Sequence, residues 1–180
     1  SRAADFMTCP LLFRFRTIDR LPEPPSHAAT RGTLVHAVLE RLFDLPAAQR
    51  TPERATALVG REGELLLAAE PEVAGLFNSD DDAARTSWLA GAGELVARYF
   101  RLEYPRCLEP AERELYVETT LESGLLLRGY VDRLDRAAAT GELRVVDYKT
   151  GNAPPAGFEQ RAMFQMRFYA LALWKQRGEV

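Results

Sequence analysis

From about Gly32 to Leu45 the apolar residues Val35, Val38, Leu39 and Leu42 recur at helical spacing, so one face of a helix is buried. The stretch before it, LPEPPSHAATRG, reads as a loop by its prolines. Thr51-Pro52 opens another helix, with proline at the first helical position, and helical composition continues to about Ala69. A third helix runs roughly from Ala83 to Tyr104 and ends before Pro105. At the start of the chain, SRAADFMTCPLLFRFR reads as a short helix interrupted near Pro10, then an aromatic and basic segment. Beyond Pro110 the period changes. ERELYVETTLE alternates Leu115, Val117, Thr119 and Leu121 against polar residues, the pattern of a half-buried strand. LLLRGYVDRLDR is a second strand after a turn at Ser123-Gly124, AAATGE a hairpin loop, LRVVDYK a third strand and GNAPPAG a loop. From about Phe158 to Arg177 a helix follows that is apolar over most of its circumference, so it is expected to pack on the sheet. Helices, then an antiparallel meander, then a helix predict an α/β or α+β fold with a central sheet.

Composition narrows the class. The chain has 180 residues, enough for one domain with a real core. No apolar run reaches the roughly 18 residues of a membrane span, and Ser1 does not open a signal peptide. The first residue is not Met, which fits a fragment or a processed product. Cys9 and Cys107 are the only cysteines; no disulfide framework is indicated, and a reducing cytoplasm is expected. The net charge of −3 does not announce a nucleic-acid binder. Its distribution says more: residues 1–41 and 128–180 are net basic and residues 42–127 net acidic. If the two ends meet in space they create a local positive field; otherwise the acidic middle is a solvated helical face.

The chemistry gathers around VVDYKTG, where Lys149 is the first of two lysines in a chain whose other basic residues, histidines aside, are arginines. Asp132 and Asp147 are equidistant from the Ala139–Thr140 junction in the hairpin loop. A symmetric hairpin therefore sets them opposite one another, about 5 Å apart at Cβ. Two opposed carboxylates are destabilising unless a cation sits between them. Lys149 shares a face with Asp147 by the period of two. Carboxylate oxygens suit Mg²⁺, and a metal site beside a lysine suits hydrolysis of phosphodiester bonds. The plainer reading is an Asp–Lys surface pair on a sheet. His36 lies at the edge of its helix's apolar stripe, either as a structural histidine or as an imidazole ligand completing a metal site. Gln165 and Tyr169 are four apart on one helix face; taken alone they are packing or surface residues.

The ordered set GTLVHAVLE, GYVDRLDR, VVDYKTG and QMRFYALAL resembles the RecB-like branch of the PD-(D/E)XK nucleases, from about Ser1 to Leu173. The resemblance implies a restriction-endonuclease-like α/β core, with a central mixed sheet that contains the meander, flanked by helices and carrying a helical insertion at roughly 46–108, in a single nuclease domain over 1–180. It implies that His36, Asp132 and Asp147, with the main-chain carbonyl of Tyr148, hold Mg²⁺ or Mn²⁺. It makes Lys149 the catalytic lysine beside Asp147 and Asp132, and gives Gln165 and Tyr169 a place on DNA or in support of Lys149. Glu40 and Glu114 recur in such motifs without an assigned role. A lysine suits that place because its compact ammonium can hold or hand over a proton, which arginine's planar, permanently charged fork cannot.

Many relatives on that branch bind a 4Fe–4S cluster through one N-terminal and three C-terminal cysteines. FMTCPLLFRF matches the first part, with Cys9 in place, but the trio is absent and Cys107 is misplaced to substitute. One thiolate cannot hold such a cluster, so Cys9 is a candidate ligand only in a longer chain and is otherwise expected to be a buried apolar thiol. GEV at the end looks like the approach to a further strand, so a C-terminal truncation is expected. The expected function is a Mg²⁺-dependent, exonucleolytic deoxyribonuclease in DNA repair or recombination, acting on DNA beside a helicase or other repair proteins and not on a membrane. The rivals are a non-cleaving, nuclease-like DNA-binding or scaffold module, and a metal-dependent hydrolase of another substrate. FRFR at Phe13 to Arg16 favours nucleic acid, because aromatic and arginine side chains stack on bases; packing at the core rim is its alternative.

Overall fold

The computed structural model describes residues 2–77, 82–152 and 159–178. Its contacts group into two units. One comprises Pro24–Pro110 and Tyr148–Thr150; the other comprises Ser1–Glu23, Ala111–Asp147 and Gly151–Val180.

The helical unit is built on α3 (His27–Leu42), α4 (Pro52–Ala69) and α6 (Asp82–Leu102), which pack on one another, with a short α5 (Pro71–Ala74) after α4. Helix α3 starts at His27, inside the stretch whose prolines suggested a loop. The prolines stop at Pro25, and Ser26 then caps the helix by accepting a hydrogen bond from the Ala29 amide at 3.2 Å. Thr51 caps α4 in the same way, accepting from the Arg54 amide at 3.3 Å. Leu34, Val38, Leu42, Ala55, Val59, Trp88, Ala92 and Val96 form the core of this unit. Leu42 is completely buried. Leu42→Ala should therefore cost about 2–5 kcal/mol through lost burial and a residual cavity, read as a lower urea midpoint in the fluorescence of Trp88, which shares that core.

The sheet unit carries β1 (Pro110–Thr120), β2 (Leu126–Arg136) and β3 (Leu143–Val146) in the order β1-β2-β3. Leu115, Val117 and Thr119 of β1 point inward and their neighbours outward, as the alternation predicts. Strands β2 and β3 are antiparallel, with Arg133 opposite Val146, Leu134 opposite Val145, Asp135 opposite Arg144 and Arg136 opposite Leu143. That is the register of the symmetric hairpin. The strand stops at Val146, so Asp147 and Lys149 lie just beyond it rather than within it. A parallel strand that would make the sheet mixed is not among the described residues.

Helix α7 (Glu159–Arg177) packs on β2 and β3 as its apolar circumference predicts, and Val117, Val131, Leu134, Tyr169, Ala172 and Leu173 form the core there. Gly129 permits this closeness: a Cβ at that position would come within 3.0 Å of the Tyr169 ring. The predicted loop at 153–157 and the expected helix start at Phe158 lie outside the described residues. The N-terminal segment forms α1 (Arg2–Thr8) and α2 (Pro10–Phe13), broken at Cys9 next to the expected Pro10, then a π-helical turn from Arg14 to Ile18. Among the described residues no helix is long and apolar enough to cross a membrane.

Candidate active site

Three local arrangements involve the residues singled out by sequence. The first lies in the sheet unit. Asp147 emerges from the end of β3, one step beyond the last β2–β3 pair, and that register carried one step further sets it against Asp132. Its Oδ1 accepts a hydrogen bond from the Gln165 side-chain amide at 2.8 Å, and the same nitrogen donates to the Tyr169 hydroxyl at 2.9 Å. Gln165 and Tyr169 are therefore one device: the amide spends its two hydrogens on a carboxylate and a phenol one helical turn apart. Burial, and secondarily the charges of Asp147, Asp132 and Glu114, hold the Tyr169 phenol above its ordinary pKa. It stays a neutral hydroxyl. Gln165 supports Asp147, a more specific role than general support of the lysine. With Asp147 as the metal ligand proposed below, Gln165→Ala should lower Mn²⁺ affinity about 10- to 100-fold, the scale of losing a group that orients a ligand, with little change in thermal stability; calorimetry and a melt read the two effects separately.

The second arrangement concerns Asp132. Its carboxylate oxygens and those of Glu114 offer atoms within 4.8 Å of one another. Glu114 has φ of 44°, left-handed and rare for a residue other than glycine. That conformation costs about 1–3 kcal/mol and is typical of functional positions. Sequence reasoning left Glu114 without a role. The signal was available: Glu114 and Asp132 are equidistant from Ser123 in the turn, and the Leu121 amide bonded to the Leu125 carbonyl fixes that symmetry. The neighbouring acid, Asp135, is excluded from such a role. Its oxygens accept from the fully buried Arg133 at 2.9 Å and from Arg144 at 2.6 Å. It is a clamp across the β2–β3 pair.

The third arrangement lies in the helical unit. His36, half-buried on α3, has its Nε2 2.9 Å from the carbonyl oxygen of Tyr148. The Tyr148 ring stands edge-on to both His36 and Tyr99 and packs on the helical core. Gly32 keeps room for the segment after the lysine, since a Cβ there would lie 3.2 Å from the Thr150 hydroxyl. Two of the three glycine-containing motifs thus have a steric reason: Gly32 and Gly129 each admit a close neighbour.

Lys149 is exposed. Glu40 is half-buried on α3, and no role for it emerges. Cys9 is a correction. It was expected to be a buried apolar thiol, but it is exposed at the break between α1 and α2, where proline follows it. Cys107 is exposed as well. The FRFR segment is helical rather than a rim strand or loop, and its arginines are engaged: Arg14 with Asp19 at 3.1 Å, Arg16 with Asp5 at 3.2 Å and with Glu23 at 2.8 Å.

The carboxylates of Asp132 and Glu114 are hard oxygen donors that suit a divalent cation.

Comparison with known proteins agrees. The chain is 29% identical, over 192 aligned positions, to the Gene 69 protein of Mycobacterium phage D29, an alignment that covers 96% of this chain and 67% of the phage protein. The sequence profile of the PD-(D/E)XK nuclease superfamily matches residues 1–180. With a meander flanked by helices and an aspartate–lysine pair at the end of its third strand, the chain belongs to the PD-(D/E)XK nuclease superfamily, whose members use divalent metals and share a restriction-endonuclease-like fold.

Proposed function

We propose that this chain is a metal-dependent DNA nuclease of the RecB-like branch, acting exonucleolytically in DNA repair or recombination beside a helicase or other repair proteins. The observation that carries the reading is the 2.9 Å approach of His36 Nε2 to the Tyr148 carbonyl, on the residue that follows an aspartate held by Gln165. His36, Asp132, Asp147 and the Tyr148 carbonyl would hold Mg²⁺ or Mn²⁺, with Glu114 close to Asp132. When bound there, the ion would supply a Lewis acid for the phosphodiester and for water. Asp147 is fixed for its task by Gln165, so it loses little freedom when it binds. Lys149 orients the attacking water and offsets the charge that builds on the phosphorus oxygens.

Linear end-labelled DNA and covalently closed single-stranded circles, incubated with Mg²⁺ or Mn²⁺, test this reading. The linear DNA should shorten progressively from an end and the circles should persist. Circles opened at the same rate would contradict exonucleolytic action, and intact linear DNA would contradict nuclease activity.

A further inference from the structure

The outer face of the β1–β2 hairpin carries Tyr116 and Tyr130, with ring centroids 5.2 Å apart and an interplanar angle of 52°. Both are exposed, at 43% and 58%. An aromatic pair on a sheet face normally contributes by being covered; this one is left to solvent, while the opposite face of the same strands packs on α7. The pair is also oriented. The Tyr116 hydroxyl donates to the Glu118 carboxylate, two residues along the same face.

The position of the pair is informative. Strand side chains alternate, so Asp132, Tyr130 and Arg128 follow one another along one face of β2 at steps of roughly 7 Å. A cleft of about 770 Å³ lies at the Arg128 end, lined by Arg128 together with Asp5, Arg16, Thr17, Arg20 and Glu23. Its two carboxylates are both taken by Arg16. Among the described residues no carboxylate pairs with Arg20 or Arg128, so the cleft presents two available guanidinium groups. Arg20 holds a left-handed backbone with φ of 51°, a conformation that residues other than glycine adopt seldom and mostly where the site requires it.

A carboxylate site, two exposed rings and an arginine cleft in that order match the parts of one polymer. We propose that the Tyr116–Tyr130 face is a stacking platform for unpaired DNA bases and that Arg128 and Arg20 hold a phosphate of the same strand. The proposal rests on the nuclease reading and goes beyond it by placing the bound strand on this hairpin face. Stacking needs a free base face, which a duplex keeps inside its own stack, so the rings select an unpaired strand. The arginines add a sequence-independent attraction for the backbone. The platform lies between the candidate metal residue Asp132 and the phosphate cleft, which sets the strand's path along β2.

Fluorescence anisotropy in EDTA, with labelled oligothymidylate and a matched hairpin duplex, reads binding without cleavage. Tyr130→Ala should weaken oligothymidylate binding about 5- to 100-fold, the scale of one lost stacking contact, and change duplex binding less than about twofold. Tyr130→Phe should bind as the parent does, which separates stacking from a folding defect. Arg128→Ala should reduce the magnitude of the logarithmic salt slope by about 0.7, the release expected from one single-strand phosphate. Unchanged oligothymidylate affinity in Tyr130→Ala, a loss shared equally by the duplex, or an unchanged salt slope in Arg128→Ala overturns the proposal. If the parent protein cleaves DNA while Tyr130→Ala binds normally, this platform is wrong and the nuclease reading stands. If the parent neither binds nor cleaves DNA, the nuclease reading fails and takes the platform with it.

Discussion

Asp147→Ala should abolish both Mn²⁺ binding and DNA cleavage. The substitution removes a proposed metal ligand and, with it, the acceptor that Gln165 holds at 2.8 Å. The lost ligand reduces affinity directly. The orphaned amide costs stability of only about 1 kcal/mol, because Gln165 is half-buried and keeps its bond to the Tyr169 hydroxyl. Calorimetry should show no Mn²⁺ binding in the range where the parent protein saturates. The cleavage rate should fall about 10³-fold or more, since the ion and its oriented carboxylate stabilise the transition state together. A melting temperature within a few degrees of the parent's, measured on the same preparation, attributes the loss to the site rather than to unfolding.

Lys149→Ala should separate the two functions that Asp147→Ala removes together. The ammonium repels a nearby cation, so its loss leaves Mn²⁺ affinity unchanged or slightly higher. Cleavage should still drop about 10²-fold or more, the scale of losing one positioned charge or proton-transfer group. Lys149→Arg should not restore it. The lysine places a compact charge, and arginine's planar fork places its charge differently. Wild-type cleavage by Lys149→Ala would reduce the pair to an ordinary surface contact.

Much of the sheet unit was legible because hairpins obey arithmetic. Equal distances from the turn gave the β2–β3 register that Arg133–Val146 and Asp135–Arg144 display. The same arithmetic about Ser123 pairs Glu114 with Asp132 and Tyr116 with Tyr130, and the ring contact follows it. That second hairpin was legible in principle and was not exploited. The left-handed φ of Glu114 was not legible, because no glycine or asparagine marks it. The start of α3 was misplaced because a proline run hid the Ser26 cap that follows it. The exposure of Cys9 was missed because a cysteine's burial depends on what packs over it, and local pattern carries no record of that. The pairing of Asp147 with Gln165 needed the structure as well. Residues 18 apart meet only because β3 ends where α7 passes, and spacing within one helix says nothing about that. The same limit applied to Arg14 and Arg16, whose carboxylate partners take up the positive charge that FRFR advertises.

The central claim is that the aspartate following β3 serves a metal-dependent nuclease. The most direct measurement is release of label from linear single-stranded DNA by the purified chain in Mn²⁺ and in excess EDTA, with Asp147→Ala run alongside. The account predicts release in Mn²⁺, none in EDTA and none from the variant. Release that survives EDTA, or that the variant matches, would contradict it.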